Sequence, residues 1–295
     1  MMSQNDQAPK QGQVDVSIII CTYNRAAKLD RTLQSLASMD PSECSYEVII
    51  IDNRSDDNTK ETVSNWSDRL PLRYSCETRP GLSHARNTGI AASHGRYIFF
   101  TDDDCVVNAD WIATGVRLLS EAPLQIIGGR VDLHDPADLP VTIKIEDHPA
   151  SLTSGVSLFG FLHGCNMIFG RCVVGQVGLF DTSLGAGTPC KAGEDADFVY
   201  RAFKKGIPVH YRPELRLAHN HGRKDSVEAA KLADDYNLSI AALAVKHLRR
   251  GDALLLKVAY WALRSEAKGR KRIRIVSYFH GGVRYGFTLL RTGGK

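Results

Sequence analysis

Residues 96–104 read RYIFFTDDD. The first six form a short apolar run with aromatic and β-branched members, the composition of a buried strand. The last three are adjacent carboxylates. Working outward, the same grammar recurs. Residues 14–21, VDVSIIIC, and 46–51, YEVIII, are two more buried strands, and 72–75 is a short third. Between the first two, Leu29, Leu33 and Leu36 recur at helical spacing. A helix is predicted to run up to about Trp66, and Ser83 is placed to cap another over HARNTGIAAS. Strands alternating with helices imply a mostly parallel central sheet with helices on both faces, an α/β fold.

Past the acidic run the pattern is less regular. Residues 125–131 and 161–170 read as strands, 132–157 as a loop or lid, and 185–193 as a glycine-rich loop. A helix is expected from about Glu194 to Lys205, ended by Gly206 and Pro208. From Ser226 onward the pattern is helical, with breaks near Gly251, Gly269 and Gly281. The organisation read from this is a disordered N-terminus over 1–13, an α/β domain over 14–225 and a helical, basic C-terminal region over 226–295. A length of 295 residues suits one α/β domain with such an extension.

Charge is distributed unevenly. The net charge is +4, yet residues 246–295 hold 13 Lys or Arg against Asp252 and Glu266. A solvated helix face accounts for this, and so does contact with an anionic partner. Leu254, Leu255, Leu256, Trp261, Tyr278, Phe279 and Phe287 lie among the basic residues, which suits an anionic membrane surface better than nucleic acid. The polar start MMSQNDQAPKQGQ has no apolar core of a signal peptide, and no apolar run approaches the ~18 residues of a membrane span. Seven cysteines without a CxxC pair indicate neither a disulfide framework nor a zinc ribbon. The expected location is cytoplasmic, peripheral on the inner face of the plasma membrane.

Ligands of open α/β sheets bind beyond the carboxyl ends of the strands. Three polar clusters fall there: Thr22, Asn24 and Arg25 after the first strand, Asp52 and Asn53 after the second, and Asp102, Asp103 and Asp104 after RYIFFT. Adjacent carboxylates repel unless a cation offsets them, and oxygen ligands suit Mg²⁺ or Mn²⁺. Such ions complete their shells with substrate phosphates, so a nucleoside diphosphate is the natural partner. Taken alone, the acidic run reads nearly as well as an exposed turn. GEDAD at 193–197 opens a helix, where carboxylates either cap or serve as a general base. His219 and His221 alternate in an extended segment, so at most one faces a given site. Arg86 and Asn87, early in a helix, are placed for phosphate. For Arg86 a surface ion pair is the plainer reading.

In order, VSIIICTYNR, VIIIDNRSDDNT, GLSHARNTGI, YIFFTDDDC, GCNMIFGR and GEDADFVYR resemble the catalytic domain of glycosyltransferase family 2, of the A-type, Rossmann-like nucleotide-sugar-dependent fold. The resemblance covers about residues 14–222. It implies inverting transfer of a sugar from a nucleoside diphosphate sugar to a hydroxyl acceptor, glycan or lipid-linked, in cell-surface polysaccharide or glycolipid synthesis. A uridine diphosphate sugar is the leading donor and Mn²⁺ or Mg²⁺ the cofactor. Asp102 and Asp104 match the ends of a DxD motif, with Asp104 favoured for metal contact and His219 assisting. Asp103 approaches the ribose. Thr22, Asn24, Asp52 and Asn53 match the nucleoside pocket, Arg86 an arginine near the donor, and Asp195 the catalytic base. Arg25 and Glu194 complete the donor-binding set. Many members carry a second Asp where this chain has Asn53. An amide donates as well as accepts, so the contact with the base differs and leaves the nucleotide open.

Other classes fit less well. A phosphatase with an aspartyl nucleophile would carry its DxD after the first strand, where this chain has CTYN. A nucleotidyltransferase or a dinucleotide oxidoreductase would need a glycine-rich first loop. A sugar-nucleotide-binding protein without transfer activity is the non-enzyme alternative.

Overall fold

A computed structural model describes residues 14–41, 43–154, 157–252 and 254. The chain opens with β1 (Val16–Thr22), α1 (Ala26–Ala37), β2 (Tyr46–Asp52), α2 (Thr59–Asn65), β3 (Leu72–Cys76), α3 (Leu82–Ala92) and β4 (Tyr97–Asp102). It continues through β5 (Cys105–Val107), α4 (Trp111–Glu121), β6 (Ile126–Leu133), β7 (Ala150–Ser151), β8 (Met167–Gly170), α5 (Arg171–Val177), α6 (Glu194–Lys204), β9 (Val209–His219) and α7 (Ser226–Leu248). The sheet order is β3-β2-β1-β4-β8-β6-β9-β5, with β7 on β9. β1 to β4 pair in parallel, and β6 pairs in parallel with β9. β8 runs antiparallel between β4 and β6, and β5 and β7 run antiparallel to β9. The sheet is thus mixed, with most strands in one direction.

Apolar alternation explains why helices lie on both faces. Successive side chains of a strand point to opposite sides. Ile18 and Ile20 of β1 join one core with Leu29 and Leu33 of α1, Val63 of α2 and Trp111 of α4. Ile19 joins the other, with Ile90 of α3, Val173 of α5, Phe198 of α6 and Leu243 of α7. A strand covered on both faces carries an unbroken apolar run, as VSIII and YIFF do.

Two local expectations are corrected. The strand read over 161–170 is confined to Met167–Gly170, because Gly164–Asn166 tightens into a 3-10 turn. The buried Asn166 amide then donates to the carbonyls of Arg130 and Leu215 and accepts from the Trp111 indole at 3.0 Å. Ser83 is not a helix cap. It lies inside α3 and donates to the Leu184 carbonyl at 2.7 Å. The loop or lid expected over 132–157 begins as the end of β6, and residues 134–154 are irregular apart from β7; all seven cysteines are free. The expectations for residues 1–13 and 255–295 lie outside the described residues.

The pairing of β6 with β9 shifts register between Gly129 and Arg130. A methyl group at Gly129 would stand 2.0 Å from the Leu215 carbonyl oxygen and 2.3 Å from Asn166 Nδ2. Neither can retreat, since one is backbone and the other is the buried amide just described. Gly129→Ala is therefore expected to cost about 3 kcal/mol, the upper end of the range for overpacking. Thermal melts should show a Tm lower by roughly 6–12 °C. A change within 2 °C would mean that this crossing is looser than its contacts imply.

Candidate functional site

The carboxyl ends of β1, β2 and β4 open onto one cleft. Its walls include Thr22, Arg25, Asn53, Arg86 and all three aspartates of the acidic run, together with Glu194, Asp195 and His219. These side chains come from β1, β4, α3, α6, β9 and the loops between them, so the fold gathers distant residues at one edge.

The acidic run is not an exposed turn. Asp103 and Asp104 are 4% and 3% exposed. Asp104 faces cations from three directions: Arg25 Nη1 at 3.1 Å, Lys28 Nζ at 3.6 Å and His219 Nε2 at 3.1 Å. Burial works against ionisation of Asp104, but the His219 hydrogen bond and the surrounding cations outweigh it and hold the carboxyl well below its ordinary range. His219 responds in the opposite sense. Burial disfavours its charge, yet the bond to Asp104 carries it up to about 9. Asp103 accepts from Thr22 Oγ1 at 2.8 Å and from Arg25 at 3.1 Å. Burial pushes it up to about 6 despite Arg25. Asp102 is turned into the cleft, 3.7 Å from Arg86 Nη2, and loss of bulk water raises its pKa.

Arg86 is the buried counterpart of these carboxylates. It is 3% exposed, 2.7 Å from Glu194 Oε1, and lies over the rings of Phe100 and Phe180 at 5.6 and 5.4 Å. It is no surface ion pair. Burial opposes its charge, and Glu194, Asp102 and Asp195 more than restore it. Burial pushes Glu194 up to about 7 although Arg86 pulls it down. Asp195, at the start of α6, accepts from the Gly164 backbone N–H at 3.0 Å and from the Ala196 N–H at 2.7 Å.

Two expected residues, Asn24 and Asp52, do not line the cleft. Asn24 accepts from the Asp56 N–H and ties the loops after β1 and β2 together. Asp52 is buried and takes the Tyr74 hydroxyl at 2.6 Å and the Ser55 N–H at 2.7 Å. Asn53 lines the cleft, but its amide donates to the Glu77 and Arg79 carbonyls and accepts from the Gly81 N–H. A carboxylate could not make the two donations, which gives a physical reason for Asn here. Of the two histidines, His219 faces the cleft. His221 is buried, 3.5 Å from Asp138, and accepts from the Arg223 N–H.

Other lining residues had no sequence signal: Tyr23, His163, Arg223, Leu232 and Tyr236. Thr142, Ala186 and Lys191 bring the irregular segments 132–157 and 182–192 to the wall. For a metal ion, Asp104, Cys105 and His219 offer ligand atoms within 4.8 Å of one another, all buried. Asp102 is not in that group but shares the cleft. Carboxylate oxygen suits Mn²⁺ or Mg²⁺, and the imidazole of His219 could join such an ion only on giving up its proton, so an ion here would take the place of the cations now around Asp104. The Cys105 thiol is softer than these ions prefer and is engaged with Cys165.

Residues 17–171 match the model of glycosyl transferase family 2. The chain belongs to that family. It is 30% identical over 208 residues to the glycosyltransferase AglE of Haloferax volcanii, covering 69% of this chain and 66% of AglE. It is 26% identical over 254 residues to the succinoglycan biosynthesis protein ExoM of Rhizobium meliloti, covering 77% and 80%. Among solved structures, TarS 1–349 of S. aureus in complex with UDP-GlcNAc superposes with a TM-score of 0.61 at 19% identity, covering 79% of this chain and 66% of that one. The mannosyltransferase PcManGT of Pyrobaculum calidifontis, in complex with GDP-Man and Mn²⁺, superposes with a TM-score of 0.63 at 20% identity, covering 98% and 86%. At these identities the structures establish the shared A-type fold. Among the described residues no helix is long and apolar enough to cross a membrane.

Proposed function

We propose that this glycosyltransferase inverts configuration as it moves a sugar from a nucleoside diphosphate donor to a hydroxyl acceptor. The observation that carries the reading is one cleft lined by the acidic run with its Asp104–His219 pair, by a buried Arg86 and by Asp195. Asp195 takes the acceptor's hydroxyl proton as that oxygen bonds to the anomeric carbon. The bond from that carbon to the diphosphate breaks on the opposite face, and inversion follows from one in-line displacement. Glu194 is not the base in this reading, because its carboxylate is occupied by Arg86. Arg86 offsets charge on the departing diphosphate through the field it sets up in the cleft. Thr22, Arg25, Asn53 and Asp103 form the nucleoside side, with Asn24 and Asp52 fixing its loops. Asp104, His219 and Asp102 would hold Mn²⁺ or Mg²⁺, which supplies Lewis-acid neutralisation of the leaving diphosphate when bound.

The similar structures in complex with UDP-GlcNAc and with GDP-Man support a nucleotide-sugar donor of either base. The relation to a succinoglycan biosynthesis protein supports a glycan or lipid-linked acceptor in cell-surface polysaccharide or glycolipid synthesis. The catalytic unit in this proposal is residues 14–225 with the wall that α7 adds to the cleft, and the basic region after residue 246 supports contact with an anionic membrane surface.

The test is a thermal-shift screen of nucleoside diphosphates with Mn²⁺. A ligand at about 100 times its Kd stabilises by about 2.7 kcal/mol, a Tm gain of roughly 5–10 °C for a domain of this size. UDP or GDP should give that gain with the metal and lose most of it when EDTA is added. If neither nucleotide shifts the melt at millimolar concentration, the donor assignment is wrong.

A further inference from the structure

Helix α7 lies beyond the stretch that matches the family model, yet it forms a wall of the cleft. Leu232, Asp235 and Tyr236 line it, and their spacing puts them on one helical face. The same stripe continues through Ser239 and Leu243, which press on Gly193, the residue that opens α6. A methyl group at Gly193 would stand 2.9 Å from Leu243 Cδ1 and 3.0 Å from Ser239 Cβ. One turn further, Lys246 and His247 grip the buried Asp197 at 2.7 and 2.9 Å. Asp197 follows Asp195 by two residues on α6. The wall and the proposed base are therefore held in fixed relation.

Tyr236 is 42% exposed, a large aromatic open to a polar cleft. Tyr236 lines the same cleft as Asp195 and Glu194, so its ring shares the space of the proposed chemistry. An aromatic face carries negative charge density and attracts the weakly positive C–H face of a sugar ring. Asp235 on the same turn, and Lys191 across the loop before α6, are placed for hydroxyl groups. The carboxylates of Asp195, Glu194 and Asp235 share this cleft with the cations Lys191 and Arg223, so neither sign of charge dominates and the ring is the distinctive feature of this wall.

Resting on the transferase reading above, we infer that Tyr236 is the stacking platform of the acceptor subsite and that the accepting end is a neutral sugar ring. The probe is a panel of methyl glycosides of hexoses and N-acetylhexosamines, with glycerol phosphate as the anionic comparison. Binding is read by saturation-transfer NMR with UDP or GDP and diamagnetic Mg²⁺ present. Wild type should saturate the ring C–H protons of at least one glycoside and none of glycerol phosphate. Tyr236→Ala and Tyr236→Leu should each weaken that glycoside about tenfold, and Tyr236→Trp should retain it. The leucine variant preserves an apolar side chain, so an equal loss there belongs to the ring and not to folding. Binding of glycerol phosphate in place of glycosides, or wild-type affinity in the leucine variant, overturns the inference. A chain that binds nucleoside diphosphate but no glycoside overturns this assignment alone. One that binds neither overturns the transferase reading as well.

Discussion

Asp195→Asn is expected to lower sugar transfer by ~10²–10⁴-fold, the usual worth of general-base assistance. The substitution keeps the size of the side chain but removes its ability to take a proton. Its structural cost is small and specific. The carboxylate accepts from two backbone N–H groups, of Gly164 and Ala196. An asparagine oxygen can keep one of them, and the amide nitrogen cannot accept the other. The first turn of α6 should therefore persist, and nucleoside diphosphate with Mn²⁺ should still raise the Tm. The split between the two readouts decides the role. Near-normal turnover would show that Asp195 is not the base. Loss of turnover together with loss of nucleotide stabilisation would show that it holds the donor instead.

The neighbouring Glu194 sharpens this expectation. Both carboxylates come from GEDAD, and the sequence does not separate them by type. Burial does. Glu194 lies under the loop at Gly185 and meets Arg86, whereas Asp195 faces the cleft beside Gly164. The helical period sets the two side chains about a quarter turn or more apart, so only one can point at an acceptor.

The first half of the fold was legible because strands buried on both faces write themselves as apolar runs. VSIII, VIII and YIFF each occupy a central position in the parallel half of the sheet. β8 was harder for a physical reason. Gly164, Cys165 and Asn166 are all buried like a strand, but the turn they make serves Asp195 and Trp111, partners far away in the chain. Ser83 shows the same limit: a hydroxyl at a helix start reads as a cap, and only the fold reveals the Leu184 carbonyl above it. In the site, the acidic triplet was visible as residues but not as a buried cluster. Its partners Arg25 and His219 lie 79 and 115 positions from Asp104. The wall contributed by α7 was invisible, because a lysine such as Lys246 reads as surface until its two carboxylates are found.

Those carboxylates lead to the second large effect: Asp197→Ala should destabilise the protein by about 3–5 kcal/mol. Asp197 is fully buried and meets Arg201 Nε at 2.7 Å, Lys246 Nζ at 2.7 Å and His247 Nε2 at 2.9 Å. Removing it leaves cations buried with too few partners. Lys246 keeps Asp181 at 2.6 Å, and Arg201 keeps the Val177 and Leu179 carbonyls, so the loss is short of total unfolding. A Tm lower by roughly 6–20 °C is expected. The pH dependence gives an independent check. Burial works against the charged form of Asp197, but His247, Lys246 and Arg201 prevail and hold its carboxyl well below its ordinary range. A depressed carboxylate stabilises the fold above the unfolded-chain value of about 3.9, and that contribution fades as pH falls toward the folded value. Glu47, held down to about 2 by Arg73, Ser17 and His94 against its own burial, acts in the same sense. Wild-type stability should therefore fall as pH drops below about 4. In Asp197→Ala that slope should be shallower, because one of the responsible groups is gone while Glu47 remains. An unchanged acid slope, or a Tm within 2 °C of wild type at neutral pH, would mean that α7 is held to α6 by its apolar stripe alone.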